Sequence, residues 1–188
     1  MALALKKEEE YYTYSDVLEW DEDFRAELLD GEIIMMAPPS RIHQGVITQL
    51  ILQIGNYLQG KKCKLYPAPF AVRLFPQRDN SDDTFFEPDL MVVCDHAKLD
   101  DKGCNGPPDL VMEIVSPSSA KYDRIYKFRK YQKAGVREYW IVDPETKSVQ
   151  VCILEGDHYA ASVYDETEKA PVFVLKGCEV DLQAVFAE

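Results

Sequence analysis

Long apolar runs are missing from the 188-residue chain: no stretch approaches the roughly 18 consecutive apolar residues that a membrane-spanning helix needs. A secretory signal is missing as well, because the apolar stretch at the start is very short and the charged residues follow it. We therefore expect a protein with no membrane partner and with a frayed segment at residues 1–14.

The five cysteines lack the spacing of a metal site or a disulfide framework. Their number is odd and no C-x-x-C occurs, whereas both kinds of site need closer and more regular spacing. Buried free thiols in a reducing compartment, and hence a cytoplasmic location, are the prediction. The cysteines are Cys63, Cys94, Cys104, Cys152 and Cys178.

Positive charge is scarce, since 21 lysines and arginines face 33 acidic residues and the net charge is −12. A nucleic-acid-binding protein usually presents a basic face, so the balance argues against strong non-specific binding. One segment departs from it: residues 121–137 hold seven basic residues and one acid. If the chain binds DNA, this segment is the predicted contact, through Arg124, Lys130 and Lys133.

The order of patterns along the chain predicts a layered α/β fold in one domain over residues 1–188, with its core at about 43–144. Ser15 is a possible N-cap of a short helix, Asp30-Gly31 indicates a β-hairpin, and residues 43–59 have the periodicity of an amphipathic helix. The strands are expected at 63–75 (broken by prolines), 90–94, 110–115, 138–142, 148–154 and 159–164, with a polar helix at 121–134.

Two acids stand out beside the central strands. Glu113 lies among Leu110-Val-Met-Glu-Ile-Val, where an unpaired carboxylate is costly, and Asp89 precedes the strand before it. If the two strands pair antiparallel so that Asp95 lies beside Pro107, Asp89 lies beside Glu113, at a cross-strand distance of about 5 Å. Such a pair suits a hard divalent cation. Asp109 is too far along the same strand to share that ion.

The following helix supplies a lysine to this pair. Asp123, Lys127 and Tyr131 recur at i, i+4 and i+8 and share one face. Lys127 there could orient a water molecule or offset charge on a phosphate. The alternative interpretation is an ordinary surface ion pair.

The string Gly106-Pro-Pro-Asp-Leu-Val-Met-Glu113-Ile-Val-Ser-Pro, followed by Asp123-Arg-Ile-Tyr-Lys127 and Gly135-Val-Arg-Glu-Tyr-Trp140-Ile-Val-Asp-Pro144, resembles the "putative restriction endonuclease" (Uma-two) family, a branch of the PD-(D/E)XK nucleases. The resemblance implies a restriction-endonuclease-like core: a central mixed β-sheet flanked by helices, with an N-terminal hairpin and a β-rich C-terminal extension. It also implies a metal-dependent endonuclease acting on DNA, with a homodimer as the expected assembly.

For the site, the resemblance implies Mg²⁺ or Mn²⁺ bound by Asp89, Glu113 and the main-chain carbonyl of Ile114. The lysine that is usual two residues after the glutamate is Val115 here, and the helix residue Lys127 would replace it. Asp123, Tyr131 and His43 are candidates for contacts behind the ligands. For His43 a helix cap or surface role is favoured, as a hairpin charge is for Glu32, and Trp140 is expected in the core.

Two other functions stay open from the sequence. One is a catalytically silent or regulatory scaffold that keeps the fold. The other is a phosphoesterase acting on a small nucleotide, which would accommodate the negative charge more easily. The DNA target and the oligomeric state have no signal in the sequence.

Overall fold

A six-stranded mixed sheet carries the two apolar strands that the sequence places at its centre. The computed structural model describes residues 10–21 and 24–187. The strands are β1 (Ala26–Leu29), β2 (Glu32–Met35), β3 (Lys64–Pro67), β4 (Ala71–Arg73), β5 (Phe85–Phe86), β6 (Leu90–Val93), β7 (Gly103–Asn105), β8 (Leu110–Ile114), β9 (Glu138–Asp143), β10 (Ser148–Glu155), β11 (His158–Asp165), β12 (Lys169–Val172) and β13 (Cys178–Asp181).

The helical segments of the described residues are fewer than the strands, and α2 is the longest of them. They are α1 (Tyr14–Val17), α2 (Arg41–Leu58), a 3-10 turn at His96–Lys98, a π-helical segment at Tyr122–Lys127 that continues directly as α3 (Phe128–Ala134), and α4 (Leu182–Val185). Within the described residues, no helix combines the length and the apolar character needed to cross a membrane.

Three sheets result from the strand pairing. The large sheet has the order β11-β10-β9-β8-β6-β3, the second has β2-β1-β5-β4-β7, and β12 pairs with β13 alone. In the large sheet β8 and β9 are parallel, and the other neighbours are antiparallel. The predicted α/β fold with a central mixed sheet, an N-terminal hairpin and a β-rich C-terminal extension is confirmed.

The central strands are buried on both faces, which explains their nearly continuous apolar sequences. Leu90 and Val92 of β6 lie in one core cluster with Leu50 of α2. The alternate residues Met91 and Val93 lie in a second cluster that includes Tyr131 of α3. The helices α2 and α3 therefore cover opposite faces of the sheet, and the odd-numbered positions of β6 and β8 face α3.

The helix α2 begins where its cap is available. Ser40 is the N-cap, and its Oγ accepts a hydrogen bond of 3.2 Å from the amide of His43, which satisfies one of the free amides at the helix start. The predicted helix is confirmed with a start at Arg41. The predicted N-cap Ser15 is wrong: Thr13 caps α1 in a capping box with Asp16, because its side chain precedes the first helical residue.

The N-terminal hairpin has the turn that its sequence predicts. Asp30 and Gly31 both have positive φ, 52° and 82°, as a two-residue hairpin turn requires. The preceding segment is not frayed, contrary to the prediction, since the amide of Tyr12 donates to the carbonyl of Gly31 at 2.9 Å and Tyr14 is buried. The remainder of that prediction, residues 1–9, lies outside the described residues.

The prediction of five free thiols is wrong for one pair. Cys63 and Cys94 form a disulfide between the segments that flank β3 and β6, because the antiparallel pairing of these strands brings the two positions together. Cys104, Cys152 and Cys178 are free and buried, as predicted. The disulfide does not fit the reducing compartment that five free thiols would indicate, and the cytoplasmic location stays a prediction.

The C-terminal extension is held by a buried carboxylate. Glu138 accepts hydrogen bonds from the amides of Phe173 and Val174 and from the indole of Trp140. Trp140 is fully buried, as predicted. These bonds satisfy a charge that would otherwise be costly in the core and attach the last part of the chain to the large sheet.

Candidate active site

The register of β6 and β8 places Asp89 beside Glu113. Leu90 is paired with Met112, so the next pair along the antiparallel ladder is Asp89 with Glu113, which is the predicted register. The backbone amide of Ile114 donates to Asp89 Oδ2 at 2.8 Å, and the amide of Asp89 lies 3.4 Å from Glu113 Oε2. The two carboxylates therefore meet where the central strands end.

Lys127 reaches this pair from the face of the large sheet that α3 covers. Its ammonium lies 2.9 Å from Glu113 Oε1, 2.9 Å from Glu27 Oε1 and 3.8 Å from Asp123 Oδ1. The phenol of Tyr131 donates to the same Glu113 oxygen at 2.8 Å. The predicted shared face of Asp123, Lys127 and Tyr131 is thus turned inward, and the alternative of a surface ion pair is wrong because all three side chains are buried.

A π-helical segment, Tyr122–Lys127, carries Lys127 to this position. Such segments are rare and frequently occur at functional sites. The helix then continues as α3 and ends at Gly135, whose φ of 86° allows the left-handed C-terminal turn. The π turn was not predicted, because the sequence spacing fits an ordinary helix equally well.

Sequence reasoning missed Glu27. This residue of β1 is buried, and its Oε1 accepts from the amide of Glu87 at 2.8 Å in addition to contacting Lys127. A signal existed, since Glu27 stands between Ala26 and Leu28 in a strand, as Glu113 does among apolar residues. Its partner could not be identified because β1 belongs to the second sheet.

Burial dominates the electrostatics of the cluster. Desolvation raises the pKa of Glu113 well above its ordinary value in spite of the nearby Lys127, and it raises the pKa of Asp123 for the same reason. For Lys127, desolvation alone would lower the pKa, but Glu113, Glu27 and Asp123 together raise it above its ordinary value. The lysine is therefore a cation, and the carboxylates around it outnumber it.

His43 contacts the site from the first turn of α2. Its Nε2 lies 3.2 Å from Asp89 Oδ2, and both side chains are largely buried. Its Nδ1 is buried without a hydrogen-bond partner among the described residues. The favoured surface or cap role is wrong for the His43 side chain, because Ser40, and not His43, caps the helix.

A cleft of about 1040 Å³ opens above these groups. Asp89, Glu113, Lys127 and Glu27 lie at its lining, together with His43. Its walls come from the connection between β2 and α2, from residues 67–69, from the segment 116–120 and from residues 143–145. Asp89, whose side chain is 18% exposed, is the acid of this group that a ligand in the cleft would meet first.

The donor set fits a hard divalent ion. Asp89 Oδ1 accepts no hydrogen bond from the described residues, and Glu113 Oε2 has only the 3.4 Å contact with the Asp89 amide. Carboxylate oxygens are the ligands that Mg²⁺ and Mn²⁺ prefer. No group of three or more His, Cys, Asp or Glu side chains among residues 10–21 and 24–187 is arranged as a metal site. An ion here would need main-chain oxygen and water as further ligands.

The predicted nucleic-acid contacts lie outside the cleft lining. Arg124 pairs with Asp143 at 2.6 Å, Lys130 pairs with Asp30 of the hairpin turn, and the Lys133 ammonium lies 5.5 Å from the centre of the Phe75 ring. The structure therefore brings together Asp89, Glu113, Lys127, Asp123, Tyr131 and His43, and it leaves the three basic residues on other parts of the helix.

The mixed α/β sheet, with Asp89 and Glu113 on neighbouring antiparallel strands beside the buried Lys127, agrees with the restriction-endonuclease-like core that the family resemblance implies. The chain belongs to the Uma2 family, described as "Putative restriction endonuclease", whose model matches residues 9–183. The predicted family is confirmed.

Two relatives match part of the chain. An uncharacterized protein of Synechocystis sp. (strain PCC 6803) is 30% identical over 118 residues, which cover 62% of this chain and 60% of that protein. A second uncharacterized protein of the same organism is 26% identical over 122 residues, which cover 63% and 66%. The chain thus matches less than two thirds of the length of either relative.

A solved structure has the same fold. The crystal structure of a "putative nuclease belonging to DUF820" from Anabaena variabilis ATCC 29413 superimposes with a TM-score of 0.75 over 93% of this chain and 97% of that one. The sequence identity is 18%, so this likeness concerns the fold alone.

Proposed function

We propose that the protein is a metal-dependent endonuclease that hydrolyses phosphodiester bonds of DNA. The observation that carries the proposal is the pairing of Asp89 with Glu113 on the lining of an open cleft, beside the buried ammonium of Lys127. Membership in a family described as "Putative restriction endonuclease" supports the same reaction class.

The charge of the site favours a bound cation. Lys127 faces the carboxylates of Glu27, Glu113 and Asp123, and Asp89 adds a fourth nearby. Buried carboxylates with too few counterions are costly, and a divalent ion would offset that cost. We propose Mg²⁺ or Mn²⁺, held by Asp89, Glu113 and the Ile114 carbonyl.

When bound, such an ion lowers the pKa of a coordinated water molecule and stabilises charge on the phosphate. The chain's own residues prepare for it. Lys127 and Tyr131 both donate to Oε1 of Glu113, which fixes that carboxylate and leaves Oε2 on the side of Asp89. His43 and the Ile114 amide hold Oδ2 of Asp89 in the same way. Lys127, which keeps its proton, also offsets negative charge on a phosphate bound in the cleft.

Two variants and one control test the proposal. Asp89→Asn and Glu113→Gln remove a ligand charge with little change in shape, and both should lose Mg²⁺ or Mn²⁺ binding by calorimetry and lose cleavage of DNA. Glu32→Gln, in the exposed strand β2, makes the same chemical change outside the cleft and should behave as the unmodified protein. If the unmodified protein binds no divalent ion at millimolar concentration, the nuclease proposal fails and a silent scaffold takes its place.

The variant Lys127→Ala distinguishes ion binding from DNA cleavage. Lys127→Ala should keep measurable ion affinity, because Asp89 and Glu113 remain, and should lose cleavage. Cleavage at the original rate in this variant would assign the lysine a purely structural role.

A homodimer is proposed as the assembled form. The strand β11 has no partner on its outer side among the described residues, and residues 159–164 of that strand contain no charge. Unprotected edges of this kind can pair with a second copy of the same strand. Sedimentation analysis should give a dimer that Val163→Lys, at a position 66% exposed, converts to monomer.

A further inference from the structure

One side of the cleft is apolar although its lining elsewhere is rich in acids. We call this side the hydrophobic wall; it consists of Ile34, Met35, Met36, Pro38, Pro39 and Ile42, from β2 to the first turn of α2. Met35 is 63% exposed and Ile42 is 46% exposed. Single exposed apolar residues are common on any protein, but several apolar residues grouped along one side of a cleft mark a binding surface.

The charged part of the lining is unsuited to tracking a duplex. Arg25 and Lys127 are the lysine or arginine side chains among the lining residues that the structure describes. Arg25 lies 3.5 Å from Glu87, and Lys127 is enclosed by carboxylates. Seven carboxylate side chains share the lining: Glu27, Glu87, Asp89, Glu113, Asp123, Asp143 and Glu145. A long array of phosphates would find repulsion here, since duplex binding depends on many lysine and arginine contacts.

The size of the cleft also disfavours a double helix as the ligand. Its volume of about 1040 Å³ is at the upper end of the range of about 300–1,000 Å³ for pockets that enclose a small ligand. This space accommodates an unstacked nucleotide with its neighbours, and it does not enclose a double helix.

We propose that the substrate is single-stranded DNA and that a base next to the scissile phosphate packs against the hydrophobic wall. The inference rests on the proposed nuclease function and names its substrate class. Ile42 lines the same cleft as His43, which contacts Asp89, so a base on Ile42 and a phosphate near Asp89 can belong to neighbouring nucleotides of one strand. Apolar and aromatic contacts with an unstacked base tolerate any sequence and contribute affinity without added positive charge.

The test compares two serine substitutions in the same helix. Ile42→Ser removes a residue of the hydrophobic wall. Leu52→Ser is its matched control, because Leu52 is 51% exposed on α2 and lies outside the cleft lining. The substrates are a fluorescein-labelled single strand, the same strand in a blunt duplex, and the same strand with abasic sites throughout its central part.

With Mg²⁺ or Mn²⁺, the unmodified protein should cleave the single strand at least tenfold faster than the duplex. Ile42→Ser should raise KM for the intact single strand fivefold or more, and Leu52→Ser should leave it unchanged. On the abasic strand the unmodified protein and Ile42→Ser should have the same KM, because the contact that the serine removes is absent. A purely structural effect of the substitution would persist on that strand.

Equal or faster cleavage of the duplex would overturn the substrate inference. So would an equal KM for Ile42→Ser and Leu52→Ser on the intact strand. In either case, if the unmodified protein cleaves the DNA and Asp89→Asn does not, the proposed nuclease function stands. If the unmodified protein cleaves none of the substrates, the proposed function fails instead, and the base contact is judged by fluorescence anisotropy of the single strand with the same two variants.

Discussion

At the scale of single residues, Lys127 determines the charge balance of the site. Its side chain is buried and lies within 4 Å of the carboxylates of Glu27, Glu113 and Asp123. Removing one partner of a buried charge cluster is more damaging than replacing the whole cluster, because the remaining charges are left uncompensated.

Lys127→Met should therefore reduce the free energy of unfolding by about 3–5 kcal/mol at pH 7. The loss should be smaller at pH 5, because lowering the pH favours the protonated forms of Glu113 and Asp123, whose pKa values are raised by burial, and leaves less negative charge for the lysine to compensate. Urea denaturation at both pH values measures the effect. Lys133→Met, on the same helix, is the control, and equal losses in the two variants would contradict the buried cluster.

The raised pKa of Glu113 gives metal binding a pH dependence. The ordinary pKa of a glutamate carboxyl is about 4.3. Burial disfavours the charged form of Glu113 and raises its pKa, so the carboxyl keeps its proton to a higher pH. An ion needs the ionised form, so affinity should increase as the pH rises through the folded-state pKa, and binding should release a proton.

Calorimetric titrations with Mn²⁺ in two buffers of different ionisation enthalpy measure this release. The apparent enthalpies should differ between the buffers, and Glu113→Gln should abolish binding together with the difference. Binding by the unmodified protein with the same enthalpy in both buffers would show that Glu113 is already ionised.

At the scale of secondary-structure elements, the strand β9 anchors the large sheet. It lies between β8 and β10, and Trp140 at its centre is fully buried with its indole bonded to Glu138. Trp140→Ala should reduce stability by about 3–5 kcal/mol, as truncations of buried aromatic residues do. Chemical denaturation is the measurement, with Val163→Ala on the exposed strand β11 as control. A loss below about 1 kcal/mol would be too small for a core aromatic residue.

The helix α3 is the proposed contact for DNA that extends beyond the cleft. Arg124 and Lys130 are engaged by acids, whereas Lys133 has no acidic partner within 4.0 Å among the described residues. Lys133→Glu should weaken DNA binding. It should also reduce the slope of log affinity against log salt concentration by about one, which corresponds to one phosphate contact. Lys169→Glu in β12 makes the same charge change elsewhere. Anisotropy titrations at several salt concentrations distinguish them, and identical slopes would remove α3 from the interface.

At the scale of the whole molecule, the disulfide fixes the edge of the large sheet. Cys63 and Cys94 are separated by 31 positions, and closing a loop of this length stabilises a protein by roughly 3–4 kcal/mol in the chain-entropy model. The double variant Cys63→Ser/Cys94→Ser should unfold at a correspondingly lower urea concentration, as should the unmodified protein in reductant. Cys152→Ser, which alters a free thiol, should remain sensitive to reductant.

The large sheet could be predicted from the sequence, and the second sheet could not. The strands β6, β8 and β9 are apolar runs whose positions follow from their own residues, and the antiparallel register of β6 with β8 was assumed from the sequence rather than required by it. The second sheet is built from strands of two to four residues with distant partners, such as Leu28 with Phe85. For that reason Glu113 and Asp89 were identified as a pair, whereas the contact between Glu27 and Lys127 was not. The contact between His43 and Asp89 likewise depends on how α2 approaches the sheet, which periodicity does not specify.

Because Lys127 bonds Glu27 of the second sheet and Glu113 of the large one, the site is also the joint between the two sheets. An ion held by Asp89, Glu113 and the Ile114 carbonyl at one end of this joint would add its binding free energy to the stability of the folded protein, about 2.7 kcal/mol at a concentration one hundred times its dissociation constant. The two sheets should then melt in a single transition that moves upward with ion concentration.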